Sequence, residues 1–581
     1  MPSTQPSSQP GGAFQPGGAS APPHLPFDPA LHPHPSRRSV VFAQRGMVAT
    51  SHPLAADAGL GILKAGGNAI DAAIATAAAL TVVEPTANGI GSDAFALVWT
   101  GGRLHGLNAS GPAPMALSLE KVRALGHTAM PAFGWLPVTV PGTPAAWAEL
   151  SRRFGRLPLK QVLAPAIELA RYGHPLAPVT GRGWQAAARR YAALQPRELF
   201  QPWLDTFAPL SSSGHSAAAN SGHSASVSPA QQAAAAPGPG QMWSSVHHAE
   251  TLEDIAETGA ESFYRGRLAR IMAEHAAATG GFLTEDDLAA FHPEWVDPIS
   301  VRYRGYDVWE IPPNGQGIVA LMALGMLAGD TFPARESADF LHLSIEAIKR
   351  AFAVAKAEVT DARAMQVTAQ DLLRPSYLAE LRAQIAPRAT DPNLTPDAGG
   401  TVYLATADGE GNMVSFIQSN YMGFGSGIVV PGTGIALQNR GHTFSLEAGH
   451  INAIAPGKRT YHTIIPGFLT RDGHPIGPFG VMGGFMQPQG HLQVMQHLLD
   501  FHDNPQAALD APRWQWMEGN RVHVERGIPA HLIDQLQSRG HDITVTHSGG
   551  SYGRGQVLWR LDNGVYAGGT EPRTDGSISA W

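Results

Sequence analysis

The chain has no cysteine among its 581 residues. That excludes disulfide scaffolds, thiolate nucleophiles and Cys-ligated zinc or iron–sulfur sites. Charge is also sparse: Asp, Glu, Lys and Arg make up 15%, with a net charge of −7. Nucleic-acid binders usually carry a basic excess, so nucleic acid is not an expected partner. Long apolar runs are missing too. The most apolar stretch, Ala72 to Val83, is about twelve residues, and a bilayer needs roughly 20 helical ones. The first 38 residues have no continuous apolar segment of the kind a secretory signal needs. The expectation is a soluble, cytoplasmic protein with no membrane contact. No P-loop is present, and the glycines of MGFGSG precede no dinucleotide-type unit. His491, His497 and His502 lack the i, i+4 spacing of a helical metal pair. No metal and no cofactor are expected.

What is abundant is glycine and proline, 65 and 47 residues, with 43% hydrophobic residues. Residues 1–38 are rich in Pro, Gly, Ser and Gln and cannot bury enough apolar surface to order themselves. Residues 211–240 repeat SGHSA at Ser213 and Ser221 and read as an exposed low-complexity insertion. The histidines of these segments, His215 and His223 included, read as solvated.

The rest alternates helical and strand patterns. Ala55 to Val83 has helical periodicity broken by Gly66-Gly67. Phe95–Trp99 reads as a strand, and Pro144–Phe154, Val162–Tyr172 and His342–Asp361 read as helices. From Thr401 short strands and tight turns take over. TVYLATA, DGEGN and MVSFIQS make a hairpin. Strands near Ile464–Leu469 and Gly477–Val481, helices at His491–Phe501 and Pro529–Ser538, and a last hairpin around Asp562-Asn563-Gly564 follow.

The first hairpin carries a geometric deduction. Folding it about Glu410 sets Thr401 opposite Ser419, two hydroxyls with Cβ atoms about 5 Å apart. Gly399 and Gly400 precede Thr401 and leave its peptide bond open to close approach. Pro387 to Ala398, upstream, is polar and turn-rich and reads as a mobile connector. A threonine that opens a strand has no base beside it. If the chain were cut before it, the new α-amine, with an ordinary pKa of about 7.7–8.0, could take the hydroxyl proton.

MVATSHPLAADAGLGILKAGGNAIDAAIA, NGIGSDAF, PVTVPGTPAAWAEL, HLSIEAIKRAFAVAKAEVTDAR, GGTVYLATADGEGNMVSF, FGSGIVVPGTGI, PGKR, MGGFMQPQGHLQVM, DAPRWQW and EPRTDG follow in order from about Gly46 to Trp581. In these blocks the chain resembles the gamma-glutamyltransferase (glutathione hydrolase) family, apart from the 211–240 insertion. The resemblance implies an α+β protein, an αββα sandwich of the N-terminal-nucleophile type. It implies autocleavage between Gly400 and Thr401 into a large segment, 39–400, and a small one, 401–581. The two would stay associated, and a homodimer of that pair is left open. Thr401 would be nucleophile and, through its α-amine, base. Ser419 stands where the family has a threonine bonded to the nucleophile hydroxyl. Gly483 and Gly484 would form the oxyanion hole, where backbone donors are worth about 3–4 kcal/mol each. Arg459 of PGKR would have a structural or pocket-framing role.

Four positions depart from the glutamyl pattern. Ser110 replaces an arginine that holds the substrate α-carboxylate. Thr443 replaces the acidic residue for its α-amine. His462 and Thr463 replace a serine pair. Arg440 could instead grip a carboxylate by a bidentate fork, or serve in a structural salt bridge. His462 could donate to substrate or simply pack. Tyr421, Thr443 and Thr463 complete the candidate substrate contacts. Asn88 and Asp93 could line the pocket or cap a helix. This pattern resembles the family's divergent branch of oxamate amidohydrolase and cephalosporin acylases. The substrate expected is a small carboxylate-bearing amide, oxamate first. A gamma-glutamyl hydrolase or transferase, and an uncut binding protein without catalysis, are the alternatives.

Overall fold

The computed structural model describes residue 34 and residues 38–209, 228–335, 337–393, 399–547 and 551–581. The SGHSA repeats, His215, His223, most of the 1–38 tail and the second half of the connector lie outside the described residues.

Two seven-stranded antiparallel sheets stack face to face, each covered by helices on its outer side. The hairpin strands Gly400–Asp408 and Met413–Tyr421 lie in the middle of one sheet, between Gly46–Thr50 and Asp93–Thr100. Strand His474–Met482 is central in the other. The fold is the expected αββα sandwich.

The period of two decides what each hairpin residue faces. Val402, Leu404, Val414 and Phe416 point to the helices, while Tyr403, Ala405, Met413 and Ile417 point to the second sheet. Thr401 and Ser419 share the parity of this second set. The turn is held by Asp408, whose Oδ1 accepts from the N–H groups of Glu410 and Asn412 at 2.9 and 3.1 Å. Its Oδ2 accepts from Ala69 N–H at 2.9 Å and so ties the hairpin to the start of helix Ala69–Val83. That helix starts at an Asn68–Asp71 capping box and is buried on every side. Its run of alanines lets it lie close on the sheet, which is why so apolar a stretch belongs to a core.

The Gly66-Gly67 break separates Pro53–Lys64 from Ala69–Val83. The helices Thr143–Phe154, Leu159–Tyr172 and Ala338–Glu358, and the last hairpin, Arg554–Arg560 with Tyr566–Thr570, fall close to where the pattern put them. Three expectations are corrected. The strand placed at Ile464 begins at Gly467, because Ile464 and Ile465 give their N–H groups to the side chains of His462 and Gln487. The helix placed at His491 begins at Met486, directly after the Gly483-Gly484 turn. Residues 228–240 are not a loose loop: Pro229–Ala234 is a helix with a Ser228–Gln231 capping box, and Gln232, Ala233 and Ala236 are buried. The connector is likewise pinned over its first half, with Thr390 N–H on Glu346 at 3.1 Å and Ala389 N–H on the Arg539 carbonyl at 2.8 Å. Among the described residues no helix is long and apolar enough to cross a membrane.

Candidate active site

The site forms where the start of strand Gly400–Asp408 meets the end of strand His474–Met482. Pairing follows the expected register from Val402 with Gln418 to Ala407 with Met413. It then slips by one residue, so that Gly400 faces Tyr421. The bulge frees Thr401 from the ladder and aims its hydroxyl at its neighbours. Thr401 Oγ1 lies 3.1 Å from Ser419 Oγ and 2.6 Å from the carbonyl oxygen of Gly400, across the intact peptide bond. Ser419 Oγ donates to the same carbonyl at 2.7 Å and accepts from Tyr421 N–H at 2.8 Å. The scissile-type carbonyl therefore carries two hydroxyl donors, and the serine is held by a backbone N–H.

Gly483 and Gly484 turn beside this peptide. Their φ angles, +138° and +60°, are ones side chains resist, and a Cβ on Gly483 would approach Gly553 Cα to 3.1 Å. A Cβ on Gly399 would come 3.2 Å from Gly484 Cα, so the two glycine segments nearly touch. Among the described residues neither the Gly483 nor the Gly484 N–H is paired with an acceptor. Gln316 locks the turn from behind, donating to the Gly484 carbonyl at 2.9 Å and the Thr463 carbonyl at 2.6 Å.

A buried charged cluster lies alongside. Arg440 is fully buried; its Nη1 donates to Thr463 Oγ1 at 2.6 Å, its Nε is 3.6 Å from Asp93 Oδ2, and its guanidinium stacks 4.5 Å above the Tyr421 ring. Among the described residues Nη2 has no hydrogen-bond partner. Burial lowers the Arg440 pKa to about 10, with Asp93 opposing. Burial also pushes the Asp93 carboxyl upward, and Arg440 pulls it back. His462 Nε2 lies 2.9 Å from Asp93 Oδ2, and its Nδ1 accepts from Ile464 N–H at 3.3 Å. Those partners fix the Nε2–H tautomer and use both ring nitrogens. Burial, helped by Arg440 and Arg459, holds the His462 pKa well below its ordinary value, so the ring is neutral.

The sequence model of the gamma-glutamyltranspeptidase family matches residues 55–581. The chain belongs to the gamma-glutamyltranspeptidase family. It is a hydrolase of the N-terminal-nucleophile type. Its similarity to the solved structure of cephalosporin acylase from Bacillus halodurans is 56% identity, with 96% of this chain and 99% of that one covered and a TM-score of 0.87. It is 34% identical to the oxamate amidohydrolase proenzyme of Klebsiella pneumoniae, over 92% of this chain and 98% of the relative. It is 33% identical to the glutathione hydrolase-like YwrD proenzyme of Bacillus subtilis, with the same two coverages.

The other candidate contacts are bonded within the protein. Ser110 gives its hydroxyl to Asn108 at 2.7 Å. The Thr443 hydroxyl is bound to the Arg440 and Tyr461 carbonyls at 2.8 and 2.9 Å. Arg459 pairs with Glu294 at 2.7 Å and donates to the Ser110 carbonyl. Asn88 caps helix Ala69–Val83, its Nδ2 on the Leu80 and Glu84 carbonyls at 3.0 and 2.8 Å. Asp93 does not cap; it is the anion that holds Arg440 and His462. Two groups of metal-ligand type exist among the described residues, His34 with His497 and Asp503, and His342 with Glu346 and His541. Each already holds a cation: Arg335 is 2.7 Å from Asp503 and Lys349 2.8 Å from Glu346.

Sequence reasoning missed Gln316, Gln487 and the hub role of Asp93. A buried, uncharged Gln has no pattern of its own, and the partners of Asp93 are hundreds of residues away. One test arises from the carbonyl geometry. Ser419→Ala is expected to slow cleavage at Gly400–Thr401 about 100-fold, the usual cost of one polarising donor, and Ser419→Thr to restore it. The fraction of uncut chain against time after synthesis, read on a denaturing gel, measures both.

Proposed function

We propose that Thr401 is the nucleophile of an autoprocessing amidohydrolase that acts on a small carboxylate-bearing amide, with oxamate as the first candidate. The observation that carries this is the Gly400 carbonyl beside Thr401 Oγ1, with Ser419 donating to it. In self-cleavage Oγ1 bonds to the Gly400 carbonyl carbon, the C–N bond breaks, and the nitrogen takes the proton that Oγ1 loses. Water then hydrolyses the ester, leaving a Gly400 carboxylate and a free Thr401 amine. This divides the folded chain into 39–400 and 401–581, which remain packed together. In turnover Oγ1 attacks the substrate amide, its α-amine takes the proton and passes it to the departing ammonia or amine, and the Gly483 and Gly484 N–H groups hold the oxyanion. Water hydrolyses the acyl ester by the same route.

The substrate class is argued from Arg440. A buried guanidinium with a spare Nη2 on one face suits a carboxylate. Tyr421 and Thr463 touch it and would flank the bound carboxylate. Since Ser110 and Thr443 spend their hydroxyls on the protein itself, nothing there suits the charged pair of a free glutamyl group. His462 then acts by holding Asp93 in place beside the arginine rather than by meeting substrate.

A second reading has its own support. A cleft of about 460 Å³ opens over Gly399 and Gly400, lined also by Arg190, Tyr191, Met517 and Arg554. It is larger than oxamate needs, and the similar structure from Bacillus halodurans is that of a cephalosporin acylase. A bulkier amide, such as an acylated cephalosporin, would fill it. Side-by-side assays of ammonia from oxamate, glutamate from glutathione and free amine from an acyl-cephalosporin separate these readings. Oxamate turnover at least tenfold above glutathione is expected. Glutathione turnover far above the other two overturns the proposed class.

A further inference from the structure

The helix Met486–Leu499 follows the Gly483-Gly484 turn and carries Gln487 in its first turn. The Gln487 side chain is fully buried. A buried primary amide costs stability unless both ends are paired, and here both are. Oε1 accepts from Ile465 N–H at 3.0 Å, and Nε2 donates to Thr401 Oγ1 at 3.3 Å. The Ile465 N–H can only donate, so it dictates which end of the amide is oxygen. The N–H end is then left facing the hydroxyl.

This bond also explains a feature of the fold. The strand expected from Ile464 begins three residues late because Ile465 N–H serves Gln487 instead of a neighbouring strand. A backbone donor has been withdrawn from the ladder to orient one side chain, and that side chain meets one reacting atom.

Resting on Thr401 as nucleophile, we infer that Gln487 is a catalytic residue: its Nε2–H stabilises the negative charge that Thr401 Oγ1 carries as its proton leaves. The demand is greatest in self-cleavage. There the free α-amine does not yet exist, and Oγ1 must give up its proton without its own base. In turnover the same donor serves twice. It steadies Oγ1 while the Oγ1–C bond forms and the proton moves to the α-amine. It does so again when water has added to the acyl ester and the Oγ1–C bond breaks, returning the electron pair to Oγ1 before the α-ammonium reprotonates it. On the proposed mechanism Gly483 and Gly484 hold the oxyanion, so the two donor sets act on different atoms.

The test reads self-cleavage, which needs no knowledge of the substrate. Full-length precursor is made in a cell-free system and followed on a denaturing gel over a range of pH. Gln487→Met removes the donor and is expected to slow cleavage at least about 100-fold. Gln487→Glu keeps the acceptor for Ile465 N–H and so guards against a folding defect. Its carboxyl can donate only when protonated, and burial raises its pKa into the working range. Its rate relative to wild type is therefore expected to rise as pH falls. A purely structural role leaves that ratio flat, and a glutamate acting as base makes it rise with pH; either result overturns the inference. So does a Gln487→Met precursor that matures within about threefold of the wild-type rate. Thr401→Ala, run beside them, keeps the two readings apart: if it still matures, Thr401 itself is wrong, and if it stays uncut while Gln487→Met matures normally, only the role of Gln487 falls.

Discussion

Thr401→Ala is expected to leave a single uncut chain of 61.3 kDa and to abolish amide hydrolysis. Both effects come from one atom. Without Oγ1 no ester can form with the Gly400 carbonyl, so the peptide bond stays, and without scission no α-amine is created to act as base. Even a chain cut by other means would lack the nucleophile. Thr401→Ser keeps the hydroxyl at the same position on the backbone and is expected to retain both self-cleavage and turnover. A denaturing gel and an ammonia-release assay on the two variants check this pair. The loss should be total for alanine within detection, which distinguishes it from the partial defects expected at Ser419 and Gln487.

Arg440→Met is expected to be the most destabilising single change at the site. It leaves Asp93 buried with no cation, a situation that costs about 3–5 kcal/mol. The effect has a sign in pH. Burial already raises the Asp93 pKa above its unfolded value, and Arg440 opposes that rise. Removing the arginine raises it further. A carboxyl whose folded pKa is raised contributes stability below its unfolded pKa, and that contribution is lost as pH climbs through the folded pKa. The penalty of Arg440→Met should therefore be larger at pH 8 than at pH 5. Adding Asp93→Asn removes the stranded charge and should recover much of the loss, because deleting both charges costs far less than deleting one. Urea unfolding in the Thr401→Ala background, where one chain unfolds, measures all three. Equal penalties at both pH values would mean that Asp93 is not the partner that matters.

Most of the architecture was legible because its signals are local. The DGEGN turn fixed the hairpin, and its symmetry set Thr401 beside Ser419. Gly66-Gly67 marked the break between two helices. What the sequence could not show is where local rules yield to the site. The register slips at Gly400, because the ladder must release Thr401. Ile464 and Ile465 look like strand residues, yet their N–H groups serve His462 and Gln487. The Asp93–Arg440–His462 cluster joins three distant segments, and only the fold brings them together. His462 could be read as a substrate donor or as a packed residue, and only the fold shows both of its nitrogens engaged by Asp93 and Ile464. The Pro229–Ala234 helix was hidden because its alanines and glutamines continue a low-complexity stretch.

The most direct test of the central claim is the intact mass of purified, active protein under denaturing conditions. Two species are expected, the smaller one beginning at Thr401 with a free amine. Active material that gives one mass, with the Gly400–Thr401 bond unbroken, would contradict it.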